Sequence, residues 1–314
     1  MRAVARLLAR LVATFLLVTF AATLLLQLTP GSPATVMAGD NTSPAVVDAI
    51  NRQYGFDDPL LVRYGDWLAG LFRGDLGISY LNRQPVLDTI LRRFPVTFEL
   101  ALLATLLALA IAVPLAVLCA QHQGSRLDRL VGALGSAGVS VPSFVVAMTL
   151  IYLLAYRTHV FPLIGWTPFT EAPLENVRGA VLPVVSIALA DTVVLLRVLR
   201  ADLIQTLQQD FIALARSKGL PRRTIMWRHA LRPSSFSLLT LSALTLARLL
   251  AGTVLVETIF VLPGLGTLLL ESITNKDLVT VQGTVAFIAI AFLAVNFLVD
   301  LLYGLLDPRT RVRA

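Results

Sequence analysis

The segment Asp210-Phe-Ile-Ala-Leu-Ala-Arg-Ser-Lys-Gly-Leu-Pro-Arg-Arg-Thr-Ile-Met-Trp-Arg-His-Ala-Leu-Arg-Pro233 is a basic interval between two long apolar runs. Hydrophobic residues make up 56% of the 314-residue chain and charged residues 14%, with a mean hydropathy of +0.78. A soluble globular chain carries about 25% charged residues, so this composition belongs to an integral membrane protein. A polar interval inside such a chain marks a loop that leaves the bilayer. The apolar runs beside it mark the helices that re-enter.

Working outward from that loop, six runs approach the roughly 20 residues a helix needs to cross a bilayer. They lie at about 9–29, 97–120, 131–156, 179–200, 236–261 and 281–303. Alternating runs of about 10 residues, which a transmembrane barrel requires, do not occur in the sequence. With both termini inside, the cytoplasmic side carries 16 basic and 4 acidic residues and the external side 9 and 13, while Arg248, Asp191 and Asp300 fall within spans. This imbalance follows the positive-inside rule. It explains the net charge of +7 without a nucleic-acid partner. The expected fold is an all-α integral membrane protein with six transmembrane helices, N-in and C-in.

The boundaries read as an N-terminal tail and first helix (1–29), an extracytoplasmic segment (30–96), a transmembrane core (97–303) and a cytoplasmic tail (304–314). The core contains a cytoplasmic loop at about 201–235. Arg2, Arg6 and Arg10 precede an apolar run from Leu11 to Leu28, longer than the usual core of about 7–15 residues in a cleaved signal, so the first helix is expected to remain. Within 30–96, Thr29-Pro-Gly-Ser-Pro33 ends the first span and Pro44 to Tyr54 reads as a helix capped by Ser43. Gly55 to Pro59 is a turn, Leu60 to Phe72 a second helix, and Arg83 to Phe94 a third that enters the next span at Pro95. Tyr54, Phe56, Tyr64, Trp67, Phe72 and Tyr80 are expected to pack this small helical subdomain or lie at the membrane interface. The single cysteine, Cys119, excludes an intrachain disulfide and is expected as a small packing residue.

In the loop itself, Leu203, Leu207, Phe211 and Leu214 recur at helical spacing, an apolar stripe on a helix continuing out of the fourth run. Gly219 suits the left-handed position just past a helix end, and Pro221 the first turn of a new helix. Arg222 to Leu231 is then a second short helix carrying Ile225, Trp227 and His229. An apolar stripe with a tryptophan on an exposed loop favours a partner over water. The plain alternative is a solvated basic loop that only fixes topology.

At these residues the chain resembles the permease subunits of binding-protein-dependent ABC importers. Their cytoplasmic loop reads Glu-Ala-Ala, three residues, Gly, nine residues, then Ile-x-Leu-Pro. Ala213-Leu214-Ala215 stands in the first position, Gly219 matches the glycine, and His229-Ala230-Leu231-Arg232 occupies the last part. Ala-Arg-Ser-Lys-Gly followed by His-Ala-Leu-Arg resembles the dipeptide and oligopeptide branch. So do Thr29-Pro30-Gly31, Tyr54 to Pro59, Arg73 to Gly77, Pro95 to Leu100, Val256 to Phe260, Pro263 to Gly266, Asp277, Val281 to Gly283, Asn296, Asp300 to Tyr303 and Asp307 to Arg309. The long first external segment points to the B-type subunit. Ala213 lacks the acidic side chain of the pattern, Leu214 replaces its first alanine, and Pro233 replaces an asparagine.

The resemblance implies import of peptides or related solutes such as glutathione, nickel complexes or haem. It implies a homologous second permease, two ATP-binding cassette ATPases, an extracytoplasmic solute-binding protein and a place in the bacterial cytoplasmic membrane. It also implies that Asp210, Ala213, Ala215, Arg216, Lys218, Gly219, Trp227, His229 and Leu231 contact the ATPase, and that Glu257, Pro263, Gly264 and Gly266 gate the pore. No Gly-x-x-x-x-Gly-Lys-Ser/Thr loop occurs in the sequence, so the chain is not itself an ATPase, binds no cofactor, and leaves ATP and Mg to partner subunits.

Glu99, Glu257 and Glu271 are isolated, and His122, His159 and His229 are scattered, so the sequence offers neither a nucleophile–base pair nor metal-ligand spacing. Ser140 and Ser143 flank Pro142 and read as a helix kink whose freed groups the hydroxyls satisfy. Asp191 and Arg248 lie mid-span, where each charge costs on the order of 2.5–3.5 kcal/mol. They read either as a structural ion pair or as pore residues, with Arg248 attracting a substrate carboxylate. From other classes, a gradient-driven secondary transporter would show inverted repeats, which the sequence lacks, and a non-transporting scaffold would need no docking loop.

Overall fold

In the computed structural model, residues 2–28, 32–39 and 43–306 are described, with side chains from position 9 onward except at positions 26, 139 and 300–306. Thr29 to Gly31, Asp307 to Arg309 and the side chain of Asp300 lie outside them. Among the described residues the chain is built from helices, with one isolated antiparallel bridge between Ile78 and Pro85. Among the described residues, four helices are long and apolar enough to cross a membrane: Val86–Gln121, Pro173–Leu207, Arg222–Gly252 and Leu278–Val299. A bent pair, Arg126–Gly138 with Ser143–Tyr156, raises the number to five. The first helix, α1 (Arg2–Leu28), is apolar over Ala9–Leu25, the unbroken stretch of its described side chains.

The chain forms two compact units, 1–97 with 263–314, and 98–262. In the first, α1 is followed by α2 (Pro33–Ala38), α3 (Pro44–Tyr54) and α4 (Leu60–Phe72). The latter two have the bounds the sequence predicts, although the Ser43 side chain does not cap α3. Two aromatic groups hold this part. Tyr54, Phe56 and Tyr80 meet with centroids 5.1–5.8 Å apart, and Arg63 sits over Phe56. Tyr64 packs on Trp67 and Phe20, and its hydroxyl donates to the Leu16 carbonyl. Phe72 is 83% exposed, which leaves it the second of its two expected places, the membrane interface, and not the packed core. Burial pushes the Tyr80 phenol up to about 12.

The core of this unit gathers Leu76, Val86, Ile90, Leu265 and Leu268 from α5 (Val86–Gln121), α13 (Leu265–Thr274) and the loop before α5, with Phe94 edge-on to Phe287 of α14 (Leu278–Leu306). Buried Asp277 ties the loop to α14 by accepting from the Ser79 and Thr280 hydroxyls. The sequence places a separate helix at Arg83 to Phe94, entering the span at Pro95. Instead α5 runs unbroken through Pro95. Val86 and Ile90, one helical turn apart and fully buried, anchor that first stretch, and the proline removes one backbone bond without removing this packing.

The second unit contains α6 (Arg126–Ser140), α7 (Ser143–Leu150), a π-helical turn (Ile151–Tyr156) and α8 (Pro173–Leu207). It continues with α9 (Asp210–Ser217), α10 (Arg222–Thr224), a second π-helical turn (Ile225–Ala230), α11 (Leu231–Gly252) and α12 (Val254–Ile259). The run 131–156 reads in sequence as one kinked span. In the structure it is two helices at 95°. Val141, just before Pro142, is forced to an extended backbone of φ −91° and ψ 118°, so the helix stops rather than kinks. The Ser140 hydroxyl donates to Ser136, inside its own helix. α8 buries Leu195, Leu196, Leu199 and Leu203 and packs along α11, fastened by the Thr206–Ser234 hydroxyl pair at 2.9 Å.

Candidate partner-docking site

The sequence predicts one helix carrying Leu203, Leu207, Phe211 and Leu214. The backbone breaks it. Gln208 and Gln209 close a tight turn on Gln205 and Thr206, and Gln209 is extended at ψ 151° before α9 begins. The break resets the helical phase. Leu203 stays buried in α8, whereas α9 turns Ile212 and Ala215 inward and leaves Phe211 and Leu214 about half exposed.

α9 ends as the sequence predicts. Gly219 is left-handed, φ +73°. Its N–H donates to the Arg216 carbonyl at 3.0 Å, and the Leu220 N–H reaches Ala215 at 3.3 Å, the paired bonds that satisfy orphan carbonyls at a helix end. Pro221 precedes the next helix as its cap rather than standing in its first turn. That next helix is not short. Residues Arg222–Gly252 run on as one rod into the long apolar helix, with a π-helical turn in which the Leu231 N–H bonds to Met226, five residues back.

Ile225, Met226 and Ala230 of the π turn are buried, and this turn packs against α9. Left outside are Phe211, Leu214, Leu220 and Trp227, between 36% and 57% exposed, interleaved with Lys218, Arg222, Arg223 and Arg228. The result is an apolar surface rimmed by cations on a rigid two-helix corner. Asp210 and Ala213 are exposed, Ala215 is buried, and His229 and Leu231 are half-buried. Arg216 turns back, donating to the Leu207 carbonyl at 3.4 Å. Phe211 and Leu214 are exposed members of the stripe that the sequence predicts, but without Leu203, which lies buried on another helix, and Leu220 is an addition to them; the apolar pair Ile212 and Ala215, three residues apart, is the signal that another face is buried.

Glu257 is fully buried, and its carboxylate accepts from the Thr253 hydroxyl at 2.7 Å. Gly264 caps α13, where the Leu265 N–H donates to Thr97 at 2.8 Å; Gly266 is buried and Pro263 exposed. Glu257 belongs to one unit and Pro263 to Gly266 to the other. Asp191 and Arg248 are joined by an ion pair.

Residues 112–312 match the model of the binding-protein-dependent transport system inner membrane component, and residues 1–101 match that of its N-terminal part. The chain belongs to this permease family. The permease is 40% identical over 303 residues to a Brucella abortus protein named as a peptide transport system permease, covering 96% of each chain. It is 33% identical to the dipeptide transport system permease DppB of Escherichia coli, covering 95% of each, and 31% identical to DppB of Lactococcus lactis, covering 96% of each. The family places the permease as a multi-pass membrane subunit of a transport system, alongside other subunits.

Proposed function

We propose that this permease forms the translocation path of an ATP-driven importer of di- or oligopeptides and works by alternating access. Six helices cross the bacterial cytoplasmic membrane N-in and C-in, α1 and the bent α6–α7 pair supplying the two beyond the four long spans. The observation that carries the reading is the rigid corner at 208–233. One arm is short and exposed, and the other is continuous with a helix long and apolar enough to cross the membrane. A partner gripping Phe211, Leu214 and Trp227 therefore moves a span directly.

Two ATPases would seat on this corner and on that of a homologous second permease. Their closure on ATP and Mg opens the path outward to an extracytoplasmic binding protein that delivers the solute, and hydrolysis resets it inward. The peptide assignment follows the names of the relatives. Glutathione, nickel complexes and haem are cargoes that the same architecture would carry.

Vesicles holding both permeases and both ATPases, with binding protein outside, should accumulate labelled peptide only when ATP is inside. Accumulation without ATP, driven by an ion gradient, would overturn the mechanism.

A further inference from the structure

The Arg248 guanidinium donates to the Asp191 carboxylate, joining α11 to α8. The two ends of this bond differ. The Asp191 side chain is 8% exposed and the Arg248 side chain 60%. Among the described residues the guanidinium has no second hydrogen-bond partner, so most of its five N–H donors are unspent.

Depth makes this unusual. Asp191 lies near the middle of the apolar run 179–200, nine residues or about 14 Å of helix before Arg200, with the exposed Arg197 between them. A cation open to lipid at that depth is costly, and such residues face the bundle interior or a water-filled path. Ser237, Leu244 and Ala251 share the exposed face of α11 with Arg248. That face offers a passing solute small or apolar contacts and one positive charge.

We infer that Arg248 recognises the C-terminal carboxylate of a peptide in transit, with Asp191 as its positioning residue; the inference rests on the importer reading above. A guanidinium fork matches a carboxylate with two parallel bonds. Asp191 fixes the fork from behind and offsets part of its charge. The cargo is thereby held firmly enough to be selected and weakly enough to leave, as conduction past a site requires.

The test uses the complete transporter in liposomes and compares initial uptake of trialanine with that of trialanine amide. The binding protein is the same throughout, so any change in the ratio belongs to the permease. Arg248→Gln should slow the free acid by about ten- to a hundredfold and leave the amide unchanged. Equal loss of both peptides, or loss of neither, would overturn the inference. Should Arg248→Gln fail to assemble, Arg248→Lys keeps the charge without the fork. It should raise KM for the acid with kcat unchanged, and an unaltered KM would overturn the inference. Asp191→Asn removes the competing charge and should lower KM and kcat together for the acid alone; collapse of amide uptake as well would mark a purely structural pair. If the unaltered transporter imports neither peptide with ATP, the importer reading itself fails, an outcome distinct from all of these.

Discussion

Arg200 grips Asp128 with two parallel hydrogen bonds, Nε to Oδ1 at 2.6 Å and Nη2 to Oδ2 at 2.7 Å. Asp128 is buried and also accepts the Gly124 N–H at 2.9 Å. The turn before α6 is thereby clamped to the last third of α8, the helix that leads into the docking corner. Arg200→Ala leaves a buried carboxylate without its cation and should destabilise the protein by about 1–3 kcal/mol. Thermal unfolding in detergent checks this, and Arg200→Lys, which cannot form both bonds, should fall in between.

Gly219 is held by conformation, not by space. A Cβ built there meets nothing within 4 Å, while φ is +73°. Gly219→Val should therefore fold, yet strain the corner by about 1–2 kcal/mol, and lower solute imported per ATP hydrolysed. Gly219→Asn should retain coupling, because asparagine tolerates the left-handed region. Unchanged transport per ATP in the valine variant would remove the corner from the coupling path.

Trp227 and Leu214 are 49% and 57% exposed, so neither should matter much to the folded permease alone. Trp227→Ala and Leu214→Ala should leave the melting temperature in place while weakening ATPase association about tenfold each, read by titrating purified ATPase onto immobilised permease. A fall in melting temperature with undiminished association would show that these side chains serve the fold.

Gly283 presents the reverse of Gly219. A Cβ there would lie 2.6 Å from the Val86 side chain, within the apolar cluster of the first unit. Gly283→Ala should destabilise by about 1–3 kcal/mol through overpacking. The paired change Val86→Ala should recover part of that loss in the same unfolding experiment.

The long apolar runs, the helices at 44–54 and 60–72 and the left-handed glycine at 219 were legible because each depends on local chemistry: periodicity, capping positions, the freedom of glycine. What escaped depended on choices between equal local alternatives. Nothing in Leu207-Gln-Gln-Asp210 forbids a helix, and only the burial of Ile212 and Ala215 against the following turn makes the break favourable. Pro142 announced an interruption, but its depth, a stop instead of a kink, was set by the extended backbone of Val141. The pairing of Asp191 with Arg248, 57 positions apart, was legible as one of two readings of their mid-span charges; which face of α11 the cation takes was not.

The π-helical turn at Ile225–Ala230 sets a phase. One residue more than an α-helical turn holds, it offsets everything before it from everything after it by about 100° of rotation about the helix axis. Trp227 and Arg248 thus stand on the same rod at angles that a uniform helical wheel would assign wrongly. Deleting one residue between 225 and 230 would restore uniform winding and swing the outward arm like a misaligned key, its teeth intact but facing the wrong wall of the lock.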